Sequence, residues 1–161
     1  MEYEDLLREA DNQELMVKEK NIPGYKGRIY NNRIAIRKNM TSVEKGCVLA
    51  EELGHHYTTV GDILDQTSVN SRKQEYRARL WAYNKLIGLH GIISAHKSGC
   101  QSISDVADYL DVTESFLQEA LLCYKQKYGL YVKLDNYVIY FEPNIGVFEM
   151  SGDVAFKCVK T

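Results

Sequence analysis

Residues 48–64 read VLAEELGHHYTTVGDIL, and the roles given to Glu51, Glu52 and His55 decide how the rest of the chain is read. In the pattern H-E-x-x-H the first and fifth residues lie one helical turn apart on the same face. Both can therefore ligate one metal ion while the neighbouring Glu activates a water molecule. Here the five positions hold Glu51, Glu52, Leu53, Gly54 and His55, so only the first ligand departs from the pattern. A shifted frame, Glu52 with His56, puts Leu53 where the base belongs; the first frame keeps a base and is preferred. A carboxylate oxygen binds zinc at about the same distance as an imidazole nitrogen, so Glu51 is chemically admissible as a replacement ligand.

The flanking sequence places this stretch on a helix. Thr41-Ser42-Val43-Glu44 has the form of a capping box and predicts a helix running through His55 or slightly beyond. At about 100° per residue, Val43, Gly46, Ala50, Leu53 and Tyr57 form one stripe, and Glu44, Cys47, Glu51 and His55 another roughly opposite. Ser71-Arg72-Lys73-Gln74 is a second capping-box candidate, opening a helix to about Leu86, and GIISAHKSG is a short helical segment. Residues 2–10 have helical spacing, with Leu6, Leu7 and Ala10 on one side. Pro23-Gly24 marks a turn, and the alternating runs about Asn31-Asn32 predict a β-hairpin.

Further along, residues 102–129 hold two helical patterns around a tight turn near Asp111-Val112, with Ser102 and Thr113 as N-caps and Gly129 as a stop. That is the outline of a helix-turn-helix. A hairpin about Asp135-Asn136 follows, then strands at IGVFEM and VAFKCVK around Ser151-Gly152-Asp153.

With the helix EELGH followed by EYRARLWA (Glu75–Ala82), the chain resembles the ImmA/IrrE metallopeptidases, whose second motif reads E-x-x-A-x-x-F-A. Trp81 stands at the aromatic position, and the order hairpin, TSVEKGCVLAEELGH, EYRARLWA, VADYLDV covers roughly residues 14–128. The resemblance implies an α+β, compact zincin-like domain with a small antiparallel sheet, an active-site helix, a helix-turn-helix-like segment and C-terminal β-hairpins. It implies Glu51, His55 and Glu75 as metal ligands and Glu52 as the general base, taking a proton from the attacking water and returning it to the leaving amine. Small Ala78 and Ala82 would let the two helices approach closely enough for Glu75 to reach the shared metal. The bland alternative for Glu75 is an ion pair with Arg72 or Arg79 at helical spacing. His56, about 100° around the helix from His55, is assigned no ligand role, and Cys47 is read as a small buried thiol.

The altered ligand has a charge consequence. Two carboxylates and one imidazole neutralise a divalent ion, which then acidifies water less than a two-His site does. A weaker or more selective hydrolase is expected. Zinc is the expected ion, with manganese, iron and no metal at all left open by the oxygen-rich donor set.

Length and charge fit this reading. The chain has 161 residues, 45% of them apolar, enough for a real core, and a formal charge of -2 that gives no global basic field for nucleic acid. Glu114 and Glu119 open the second helix of the helix-turn-helix outline, with no Lys or Arg before Lys125, the wrong charge for phosphates. Direct nucleic-acid binding is therefore not expected. The N-terminus is acidic and amphipathic, without a signal peptide's basic start, and no run is long enough to span a membrane, so a cytoplasmic protein is expected. Cys47, Cys100, Cys123 and Cys158 are isolated and read as free, mostly buried thiols.

The expected organisation is a zincin-like core over 1–100, a helix-turn-helix-like segment over 101–129 and C-terminal strands over 130–161 packed on the same domain. The resemblance implies an endopeptidase that cleaves a repressor encoded nearby on a prophage or other mobile element. The protein partner expected is thus a helix-turn-helix repressor. Two other readings stay open: a non-catalytic antirepressor that binds its repressor through the same fold, and a DNA-binding regulator. In RIAIR, Ile34 and Ile36 should face the core, leaving Arg33, Ala35 and Arg37 on the other face, and an extended substrate could pair with the edge of this strand.

Overall fold

A computed structural model describes residues 1–59 and 68–150. The chain divides into two compact units, Met1–Leu86 and Ile87–Thr161. The architecture is α+β, with helices and two small sheets.

In the first unit, α1 (Tyr3–Asn12) leads into β1 (Met16–Lys20), β2 (Gly27–Tyr30) and β3 (Arg33–Arg37). The expected hairpin is β2–β3, turning through Asn31 at φ 52°, a conformation Asn tolerates. MVKEK, which carries no clear alternation, forms β1 and pairs parallel to β3. The sheet order is therefore β1-β3-β2, and β3 is central. Both its edges are taken, which overturns substrate addition to this strand. The alternation within RIAIR is as expected, with Ile34 and Ile36 buried.

Helix α2 (Ser42–Thr59) opens on the Thr41 capping box: Glu44 N–H donates to the Thr41 hydroxyl at 3.2 Å, and Thr41 N–H donates to the Glu44 carboxylate at 2.8 Å. It packs against α1, β2, β3 and α3 (Ser68–Leu86). Helix α3 begins at Ser68, three residues before the expected cap at Ser71. Leu6, Ala10, Leu49, Ala50, Leu53, Ala78 and Ala82 form the centre of this unit's core. The contact between α2 and α3 is backbone to backbone, because a Cβ on Gly54 would run into the Ala78 carbonyl. Tyr57 of α2 stacks on Trp81 of α3 at 4.8 Å between ring centres and donates its hydroxyl to Glu9 of α1.

In the second unit, α4 (Gly88–Lys97), α5 (Ile103–Leu110) and α6 (Glu114–Tyr128) precede an antiparallel sheet of β4 (Tyr131–Leu134), β5 (Tyr137–Tyr140) and β6 (Gly146–Glu149). Ser102 and Thr113 cap α5 and α6 as expected, by accepting from Asp105 N–H and Phe116 N–H. The turn between the two helices uses Asp111 at φ 56°. Leu117, Ala120, Tyr124 and Ile139 are fully buried here. Cys47 and Cys123 are buried and Cys100 is intermediate, and none of the three is in a disulfide. The strand expected at VAFKCVK, its turn and Cys158 lie outside the described residues. No helix among the described residues is long and apolar enough to cross a membrane.

Candidate active site

Glu51, Glu52 and His55 all come from the second half of α2, and Glu75 comes from the facing part of α3. The close approach at Gly54 and Ala78 is what brings the two helices within side-chain reach. His55 Nε2 lies 3.2 Å from Glu75 Oε2, so these two residues, expected to share a metal, are neighbours across the helices. The other Glu75 oxygen accepts from Arg79 Nε at 2.7 Å, one turn along α3. Glu75 therefore has an imidazole on one oxygen and a guanidinium on the other. The i,i+4 pairing weighed from sequence and the approach to His55 occur together.

Arg79 is held charged by this arrangement. Burial works against its charged form, but the hydrogen bond to Glu75 and the charges of Glu51 and Glu75 outweigh it and raise its pKa. The guanidinium thus answers the negative charge of two carboxylates expected to face a metal ion.

Glu52 lies near enough to that pair to feel the charge of Glu75. It is partly buried where α2 meets β2, and its pKa is pushed up to about 7, first by burial and then by the charges of Glu51 and Glu75. A hydrogen bond from the Ile29 N–H and the charge of Arg28 pull the other way. Gly27 makes room for this carboxylate, since a Cβ there would stand 3.0 Å from Glu52 Oε1 and collide with Val48. The result is a carboxyl group able to take or give a proton near neutrality, as general acid–base chemistry needs.

A divalent ion is tested by these donors. Imidazole and carboxylate are suitable chemistry, and the contact of His55 with Glu75 fits an ion between two helices. The three-residue set does not fit as arranged: among the described residues, no three His, Cys, Asp or Glu side chains are grouped to hold a metal. Arg79 also holds one of the oxygens an ion would use.

Sequence reading did not find Gly27, Arg28 and Ile29 at Glu52, because they reach it from another strand and carry no local motif. In the sequence Gly54 is only a letter of the motif; its role in helix packing follows from the contact with Ala78, invisible in one dimension. Arg79 was visible, at i+4 from Glu75, but only as a surface partner.

The profile of the Peptidase_M78 family, described as an IrrE N-terminal-like domain, matches residues 10–122. That span is more than half of the chain and contains every residue discussed in this site. Comparison with curated proteins and with solved structures returns no match.

Proposed function

The chain belongs to the Peptidase_M78 family of IrrE N-terminal-like domains, a metal-dependent peptidase family, and from that premise we propose that it is a cytoplasmic endopeptidase acting on a helix-turn-helix repressor encoded nearby on a mobile element. The supporting observation is the meeting of His55 and Glu75 across α2 and α3 at 3.2 Å, beside the half-buried Glu52. In this reading Glu51, His55 and Glu75 would have to rearrange from the geometry described above, with Arg79 released from Glu75, to hold the ion, zinc first among the candidates. Such an ion, when bound, would supply Lewis acidity to a peptide carbonyl and to water. Glu52, desolvated against β2, receives a proton and returns it to the leaving amine.

The test is incubation of the purified protein and added zinc, manganese or iron with the neighbouring repressor. Cleavage by the wild type and none by Glu52→Gln, with metal uptake unchanged, supports the reading. Cleavage by Glu52→Gln removes Glu52 from the mechanism.

A second reading is favoured by a specific contact. The Arg79 guanidinium already satisfies Glu75 without an ion, which suits an antirepressor that binds its repressor through the peptidase fold and leaves it intact. Co-expression separates the two: an intact repressor that co-purifies with the chain supports binding alone, and fragments support cleavage.

A further inference from the structure

The sheet of the first unit has an outer face of which only Arg28 is also felt by the candidate active site, through its charge on Glu52. Its inner rows, Val17–Ile34–Ile29 and Glu19–Ile36–Gly27, belong to the side covered by α2, where Glu19 pairs with Lys45. The outer rows are Met16–Arg33–Tyr30, Lys18–Ala35–Arg28 and Lys20 beside Arg37. Lys20 and Arg37 are thus neighbours about 4.8 Å apart across the strands, Lys18 and Lys20 about 6.7 Å apart along β1, and Lys18 and Arg28 about 10 Å apart on either side of Ala35. No acidic side chain belongs to these rows.

Charge is concentrated here out of proportion to the whole. Residues 16–38 carry seven Lys and Arg against one Glu, in a chain whose net charge is -2. The net value, which argued against nucleic acid, averages this face with acidic helices elsewhere. Among the described residues, Lys18, Lys20, Arg28, Arg33 and Arg37 form no ion pair. The small Ala35 leaves the floor of a groove of about 420 Å³ between these side chains. At its margins Tyr30 is 75% exposed and Met16 is 45% exposed, while Arg28 lies over the ring of the exposed Tyr25 at 5.4 Å.

We propose that this outer face binds single-stranded nucleic acid, with the cations on successive phosphates and Tyr30 as a stacking platform for a base. Clustered positive charge combined with an open aromatic face suits a chain that has both phosphates and unpaired bases. Duplex DNA would use the charge and leave the ring idle. An acidic peptide would likewise use the cations without needing a flat platform. The proposal rests on the sheet alone and does not depend on a metal at the α2–α3 site.

The experiment is fluorescence anisotropy of a labelled oligothymidylate about 15 nucleotides long, with the full-length protein at about 50 mM salt. Saturable binding is expected, with a log–log salt slope near -3 for about four phosphate contacts. The double variant Lys18→Glu/Arg33→Glu should weaken binding at least tenfold and flatten that slope. Tyr30→Ala should weaken binding about tenfold through lost stacking and leave the slope unchanged. Circular dichroism melting of both variants, expected to match the wild type, separates binding from folding; for a variant that melts early, neutral Lys18→Gln/Arg33→Gln replaces it. Absence of binding by the wild type overturns the proposal, as does equal binding by folded variants. Equal affinity for a duplex of the same length, or equal competition by a glutamate peptide of matched charge, also overturns it.

Discussion

At the scale of single residues, Arg79 shapes what the site can hold. Its guanidinium takes one oxygen of Glu75 and answers the charge of Glu51, so an incoming cation has to displace it. Replacing Arg79 with Met keeps the aliphatic stem and frees the carboxylate. Zinc affinity measured by calorimetric titration should then tighten about tenfold, equivalent to about 1.4 kcal/mol; an unchanged affinity would show that Arg79 does not compete with the ion. Glu19 offers a separate check, remote from that site in its chemistry. Its pKa is lowered from 4.5, chiefly by the hydrogen bond from Lys45. A lowered carboxylate pKa means that the pair stabilises the fold above the unfolded value and that this contribution fades as pH falls from 4.5 through the folded value. Because the Glu19 side chain is 36% exposed, the contribution is small, about 0.5 kcal/mol. Glu19→Gln should therefore melt slightly earlier than the wild type at pH 7, with the difference vanishing in acid, as read by thermal denaturation across pH.

At the scale of elements, the pair α2–α3 is the frame of the site, and Gly54 sets its spacing. An added methyl there meets the Ala78 backbone, which cannot swing aside as a side chain would. Gly54→Ala should force the helices apart and cost about 3 kcal/mol, near the upper end for overpacking in a core, visible as a lowered urea midpoint. Zinc uptake should fall with it, since His55 and Glu75 would separate. Much of the local structure is legible in the chain: the capping box at Thr41, the N-caps at Ser102 and Thr113, and the hairpin turns at Asn31 and Asp135 all act through residues within a few positions of one another. What was not legible acts at a distance. Helix α3 continues back to Ser68 past a local start signal, and β1 gains its strand character from β3, since MVKEK alone has no buried alternation.

At the scale of the whole molecule, the family match spans residues 10–122 while the compact units divide at Leu86. The candidate acid–base group and the candidate ligands all lie within Met1–Leu86. The fold class and the helices carrying Glu51, Glu52, His55 and Glu75 could be read from periodicity and motif. The charge of the outer sheet face could not, because it depends on which strands become neighbours. The central position of β3 has one more consequence, in time. Its partner β2 is joined to it by a two-residue turn, whereas β1 meets it across a sequence separation that runs from Met16 to Arg33. Closing the shorter loop costs less chain entropy, so the β2–β3 hairpin should assemble first and β1 should dock later. Pulse-labelling hydrogen exchange during refolding is expected to protect the β2–β3 amides ahead of those bonded to β1. The basic face, which needs all three strands, would then be completed only as β1 docks, after the hairpin that supplies Arg28, Tyr30 and Arg33 has formed.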